Sequence, residues 1–250
     1  MTYRLCIRDL SVSLGDTERR FTLRTGSWDV DAGAVIGFTG PSGTGKTLLL
    51  ELLGLLRAPA SGQYYAQPRS AEGEALSFDS FWGTAGSSVH RATCRARFFG
   101  FVPQSGGLLP YLTVTENIAL SQQIAQRYDR EWLLHLIEQL GLDAVAKLRP
   151  AALSIGQRQR VAIARALAHR PFCVIADEPT ASLDPENAEA AMGLLIRAAR
   201  DGGAATLLSS HDYATLDKFD MTRMHLEITS PHGDAEVVSA LKSDAAELVS

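Results

Sequence analysis

The stretch Gly40-Pro41-Ser42-Gly43-Thr44-Gly45-Lys46-Thr47 matches the pattern G-x-x-x-x-G-K-[ST] at every fixed position. Before it, Ala34-Val35-Ile36-Gly37-Phe38-Thr39 is a short apolar run with β-branched members, as a buried strand would be. After it, Leu48-Leu49-Leu50-Glu51-Leu52-Leu53 is built of helix formers. The pattern therefore stands in the strand–loop–helix setting that gives it meaning. The glycines let the backbone curl with its N–H groups facing inward, where side chains would block an anion. The following helix presents its positive end to the same anion. Lys46 is placed to reach β- and γ-phosphates, and the Thr47 hydroxyl to ligate Mg²⁺. The stretch predicts a nucleoside-triphosphate site.

The remaining composition narrows the class. At 250 residues the chain can bury one large α/β core. With 46% hydrophobic and 21% charged residues it is of ordinary globular composition. A net charge of −4 supplies no global basic field, so direct contact with nucleic acid is not expected. Cys6, Cys94 and Cys173 are odd in number and widely spaced, which points to no disulfide framework and no zinc site. Arg4 and Arg8 interrupt any early apolar run, so no signal peptide is expected. No apolar stretch approaches the roughly 20 residues needed to span a bilayer. If the protein acts at a membrane, another chain must supply the span.

Along the chain, Tyr3 to Leu14 alternates loosely and predicts a strand, and Phe21 to Val30 predicts a second. The region from Ala66 to Cys94 is rich in Gly, Ser and Ala and reads as an irregular insertion with one short packed element. Arg97 to Pro103 reads as a buried strand, ended by Gln104. Leu108-Leu109-Pro110-Tyr111-Leu112 is an apolar group after a glycine-rich loop, either a contact surface or packed inside. Thr113 with Glu116 has capping-box spacing and opens a helix to Ala125. A second helix runs from Asp129 to Leu140. A third covers Gln157 to Ala168, with Arg158 and Arg165 facing outward. Phe172 to Ala176 reads as a central parallel strand, Pro185 to Arg200 as a helix, and Ala204 to Ser209 as another buried strand. Met224, Leu226 and Ile228 alternate ahead of a turn at Pro231 to Asp234 and of Glu236-Val237-Val238, which reads as a hairpin.

Several groups fall at strand ends, where an open parallel sheet places its ligand groups. Asp177 can hold Mg²⁺. Glu178, one residue on, points elsewhere and can polarise a water for attack on the γ-phosphate. Gln104 can reach the metal or the water. His211 can hydrogen-bond the γ-phosphate and orient the water. Ser154, at the start of the third helix, and the N–H groups around Gly156 form a second anion-facing helix start. One site has no use for two, so this one makes sense against the nucleotide of another subunit.

The order of these motifs resembles that of ATP-binding cassette (ABC) ATPases over nearly all of residues 1 to 228. The phosphate loop looks like their Walker A motif and Gln104 like their Q-loop. Leu153-Ser154-Ile155-Gly156-Gln157, continued by Arg158-Gln159-Arg160-Val161-Ala162, looks like their signature. Asp177-Glu178-Pro179 looks like Walker B, Ser182-Leu183-Asp184 like the D-loop and His211 like the H-switch. The resemblance implies a RecA-like α/β phosphate-loop core with a β-rich N-terminal edge and an inserted helical subdomain. In a single domain of residues 1–250 it implies edge and core at 1–104 and 169–228, the helical subdomain at 105–168, a tail at 229–250 and an insertion at 66–95. It implies ATP and Mg²⁺ as ligands, with Thr47, Gln104 and Asp177 at the metal and Glu178, His211 and Gln104 in catalysis. It implies two subunits sandwiching two ATPs, with Ser154, Ile155, Gly156 and Gln157 acting across the interface and Asp184 coupling the sites.

Phe101-Val102-Pro103-Gln104 followed by Leu108 to Asn117 is similar to the macrolide-exporter and lipoprotein-releasing group. That likeness implies a transmembrane permease partner gripped near Leu108–Leu112 and a peripheral place on the cytoplasmic face of the inner membrane. A soluble ABC ATPase driving a nucleic-acid or assembly machine, and an importer subunit, are the competing readings. The absence of heptad runs and of a second cassette disfavours the soluble one. Three positions depart from the pattern. Ile155 stands where Gly is usual. Leu14 stands where an aromatic residue stacks on adenine, with Phe21 as the nearest substitute. The 66–95 stretch is longer than the family usually has.

Overall fold

The computed structural model describes residues 3–15, 20–69, 74–82, 87–230 and 236–243. In chain order these form β1 (Tyr3–Gly15), β2 (Arg20–Arg24), β3 (Ser27–Asp31), β4 (Val35–Thr39), α1 (Lys46–Leu53), β5 (Ser61–Pro68), β6 (Leu76–Ser77), α2 (Ser87–Phe98), β7 (Phe99–Val102), α3 (Val114–Ala125), α4 (Arg130–Gln139), α5 (Ile155–Leu167), β8 (Cys173–Asp177), α6 (Pro185–Asp201), β9 (Ala205–Ser209), α7 (Tyr213–Leu216), β10 (Thr222–Ile228) and β11 (Glu236–Ser243).

The unbroken apolar runs of β4, β8 and β9 are central strands covered on both faces. Cys173 and Ile175 of β8 enter the core that contains α1, while Val174 and Ala176 enter the core shared with α3, α4, α5 and α6. The two-residue period thus divides one strand between two cores. Each fully buried leucine in them, such as Leu49, Leu53 or Leu136, contributes about 1.5–3 kcal/mol relative to exposure.

β7, β8, β9, β4 and β10 are adjacent in that order and pair in parallel. Their C-terminal ends therefore lie on one edge. Ser209 stands opposite both Phe38 and Asp177 in register. The loop after β4 thus emerges beside the acidic end of β8, and that edge carries the site. The helical block hangs from the same edge. Its helices are opened by the Thr113–Glu116 capping box and by Asp129, whose carboxylate accepts from the Trp132 N–H. The Trp132 indole donates to the Leu167 carbonyl, and the buried Gln122 amide to the carbonyls of Asp129 and Ala168. These bonds lock α3 and α4 to α5.

Several expectations need correction. The strand expected over Phe21 to Val30 is two strands, β2 and β3, separated at Thr25-Gly26, where Gly26 has φ 64°. β1 pairs with both, through residues 11–15 and 4–8, and its register with β5 shifts between Arg8 and Ser11. The break along one side of β1 matches the irregularity along its other side. The stretch expected to be irregular holds the end of β5, then β6, the fully buried Phe78, and most of the twelve-residue helix α2. Helix α2 was hidden because it buries little beyond Cys94 and carries arginines along its length. It also takes Arg97 and Phe98, so β7 starts at Phe99. The tail forms the hairpin β10–β11, and β11 pairs with β2 inside the sheet. The turn expected at Pro231 to Asp234 lies outside the described residues.

Candidate nucleotide site

The loop of residues 40–45 joins β4 to α1, and its glycines are conformationally required. Gly45, the N-cap of α1, has φ 94°. Gly40 has φ 139°, and a Cβ there would lie 2.5 Å from the Leu226 carbonyl oxygen. Lys46 is folded onto its own loop, donating to the carbonyls of Gly40 at 2.8 Å and Pro41 at 3.0 Å. Burial pushes its ammonium below the usual lysine value, against the opposing pull of Glu178 and Asp177.

A cavity of about 530 Å³ lies against this loop. Leu14 and Phe21, opposite each other in the β1–β2 pair, line it together with Glu178 and His211. Leu14 is 37% exposed, and the Phe21 ring abuts Gly45. A second cavity of about 180 Å³ shares Thr47 and Glu51 with the first and adds Gln104 and Asp177.

The adjacent carboxylates Asp177 and Glu178 have separate partners. Asp177 accepts from the Thr47 hydroxyl at 2.9 Å and from the Ser209 hydroxyl at 2.6 Å. Glu178 adopts φ 46°, a left-handed backbone costing about 1–2 kcal/mol for a residue with a Cβ. Its N–H donates to Ser209 Oγ at 3.0 Å, and its Oε1 lies 2.9 Å from His211 Nε2. The backbone twist turns the second carboxylate away from the first. Ser209 holds both residues, yet in the sequence it is only a small residue before His211. Arg57, paired with Glu51, also lines the larger cavity and carries no motif.

The signature residues do not line either cavity. Ser154 caps α5, accepting from the Gln157 N–H at 3.1 Å, and the Gln157 side chain accepts from the Ser154 N–H at 2.9 Å. Ile155 is 53% exposed, and a Cβ on Gly156 would meet nothing within 4 Å. Nothing among the described residues explains a glycine there. Asp184 caps α6 and is held below the usual carboxylate range by the Asn187 side chain and N–H.

Arg165 corrects another expectation, because it does not face outward. Its guanidinium donates to the carbonyls of Gly107 at 2.8 Å and Gly106 at 3.0 Å. Burial pulls its pKa below the usual arginine value. The buried Asn117 side chain donates to the carbonyls of Leu109, Leu112 and Thr113 and accepts from the Leu109 N–H. Within the apolar group, Leu108 packs on the core and Tyr111 is 66% exposed. Both alternatives for Leu108–Leu112 are therefore realised, by different residues. Among the described residues, no helix is long and apolar enough to cross a membrane.

The family model described as "ABC transporter" matches residues 23–181. The lipoprotein-releasing system ATP-binding protein LolD of Hyphomonas neptunium is 39% identical over 194 residues, 76% of this chain and 80% of that protein. LolD of Gluconobacter oxydans is 38% identical over 198 residues, 78% of this chain and 80% of that protein. The solved dimeric structure of the bacterial ABC transporter cassette MJ0796 superposes with a TM-score of 0.73 at 27% identity, covering 93% of this chain and 96% of that one. The same cassette in a post-hydrolysis state with ADP and Pi gives 0.72. With the phosphate loop, the paired carboxylates and the sheet that aligns them, these matches place the chain in the ABC transporter family, as one of its ATP-hydrolysing cassettes.

Proposed function

We propose that the chain is the ATPase subunit of a membrane transporter of the lipoprotein-releasing kind, and that ATP-driven pairing of two cassettes moves a membrane-embedded partner. The observation that carries the chemical part is the pairing of Thr47 with Asp177 and of Glu178 with His211 across two adjoining cavities that share Thr47. The Gly40–Thr47 loop, with Lys46, takes the phosphates. Glu178 accepts the proton of the attacking water, and His211 fixes that carboxylate and meets the γ-phosphate.

The donor set fits Mg²⁺. Thr47 and Asp177 offer hard oxygens, Gln104 lines the same small cavity, and among the described residues no cluster of His, Cys, Asp and Glu competes. Bound there with the nucleotide, Mg²⁺ would neutralise phosphate charge.

The solvent-facing Ser154 and Ile155, and the unfilled space at Gly156, support a site completed across a dimer. In this reading Ser154, Ile155, Gly156 and Gln157 of one copy close on the nucleotide of the other, with Asp184 beside them. The lipoprotein-releasing assignment follows the relatives that share about 38% of their residues with this chain. A permease contact near Leu108–Leu112 is supported by the exposed Tyr111, and such a contact would hold the subunit at the cytoplasmic membrane surface.

The test is Glu178→Gln. Steady-state hydrolysis should fall by at least about 10²-fold, while ATP binding persists and ATP-dependent dimers accumulate on a sizing column. Hydrolysis at the unsubstituted rate would overturn the role of Glu178.

A further inference from the structure

We propose that Ser239, on the C-terminal strand β11, is a positioning residue for the phosphate loop, acting through the peptide bond between Thr44 and Gly45. The proposal rests on the reading of residues 40–47 as that loop. Ser239 is completely buried, and its hydroxyl donates to the Thr44 carbonyl at 2.7 Å, across 195 positions of sequence.

The geometry gives this bond a function. The described chain has no cis peptide. In a trans peptide the carbonyl and the next N–H point in opposite directions. Drawing the Thr44 carbonyl toward β11 therefore aims the Gly45 N–H away from β11. Gly45 lines the larger cavity, and its φ of 94° is a backbone setting that glycine holds only loosely by itself. Ser239 supplies the missing restraint.

The rest of the hairpin closes on the same loop. In register, Ser239 stands opposite Leu23, whose side chain approaches Gly45. On β10, the Leu226 carbonyl crowds Gly40, and His225 Nδ1 lies 3.1 Å from the Thr39 hydroxyl. Both ends of the loop are thus braced from behind by residues beyond the 23–181 stretch that carries the family match. The Thr44 hydroxyl is already used within the loop, donating to the Pro41 carbonyl at 2.9 Å.

The experiment measures ADP affinity by titration calorimetry, with the KM and kcat for ATP, on Ser239→Ala. Affinity should fall about fivefold, the worth of one buried hydrogen bond. KM should rise in step with kcat nearly preserved, and the downfield shift of the Gly45 amide proton on adding ADP should shrink. Leu241→Ala is the control. It loosens the same strand without a hydrogen bond to the loop and should keep ADP affinity. Ser239→Cys keeps a weaker donor of similar size and should lie between Ser239→Ala and the parent. It carries the comparison if Ser239→Ala fails to fold. Unchanged affinity in Ser239→Ala while Lys46→Ala binds poorly overturns the proposal, as does an equal loss in Leu241→Ala. Unchanged affinity in Lys46→Ala would instead overturn the phosphate-loop reading beneath it.

Discussion

The Thr47 hydroxyl donates to Asp177 Oδ2 at 2.9 Å, tying the first turn of α1 to the end of β8 across 130 positions. Ser209 takes the other oxygen of the same carboxylate at 2.6 Å. The carboxylate is therefore oriented by two hydroxyls from different elements. An asparagine at 177 can accept at only one atom and has no charge. In Asp177→Asn, the gain in ATP affinity on adding Mg²⁺ should shrink about tenfold or more. Titrations with and without the metal read this directly, and an unchanged gain would remove Asp177 from the metal site.

The signature turn should matter only between two copies. Ser154 and Ile155 face solvent and neither lines the cavity at the loop of its own chain. In a Glu178→Gln background, Ser154→Arg should bind ATP as before yet form no ATP-dependent dimer by light scattering. Loss of ATP binding by the monomer would show that the signature acts within its own chain.

At the base end, Leu14 offers the nucleotide an apolar edge without a π face. Aromatic stacking on a base is worth about 1–3 kcal/mol. Leu14→Tyr should therefore tighten ATP binding by about fivefold or more. An unchanged affinity would mean that Phe21 already fills that role.

His169 gives the fold an acid limit. It is buried beside the Phe99 carbonyl, and burial, with a smaller push from Arg127, lowers its pKa from 6.5 to about 4. The unfolded chain then takes up the proton first. The stabilisation is complete above pH 6.5 and is lost as the pH falls from there toward 4. This residue should account for about 2 kcal/mol of lost stability between pH 7 and pH 5, read from urea midpoints. His169→Gln should flatten that slope, and an equal slope in the variant would show that His169 is not its source.

The parts legible in the sequence were those whose signal is local. The phosphate loop is eight consecutive residues, the central strands are unbroken apolar runs, and the Thr113 and Ser154 caps declare themselves within one turn. Helix α2 was not legible, because its amphipathic contrast is weak and its arginines suit an exposed loop equally well. Ser209 and Ser239 were not legible for another reason. A serine at the end or inside of a strand has no distinguishing pattern, and what makes these two matter is a partner 32 or 195 positions away. Arg165 falls between the cases. Helical periodicity took it off the core stripe and so pointed it outward, but could not show that Gly106 and Gly107 would cover it there.

Those glycine carbonyls have a mechanical consequence. Arg165 of α5 secures Gly106 and Gly107, and Asn117 of α3 secures Leu109, Leu112 and Thr113. The span beneath Tyr111 is riveted to the helical block at both ends, so it cannot yield as a slack loop would. A displacement applied at Tyr111 should therefore pass into α3 and α5 rather than be absorbed by the span, and α5 is the helix that Ser154 caps.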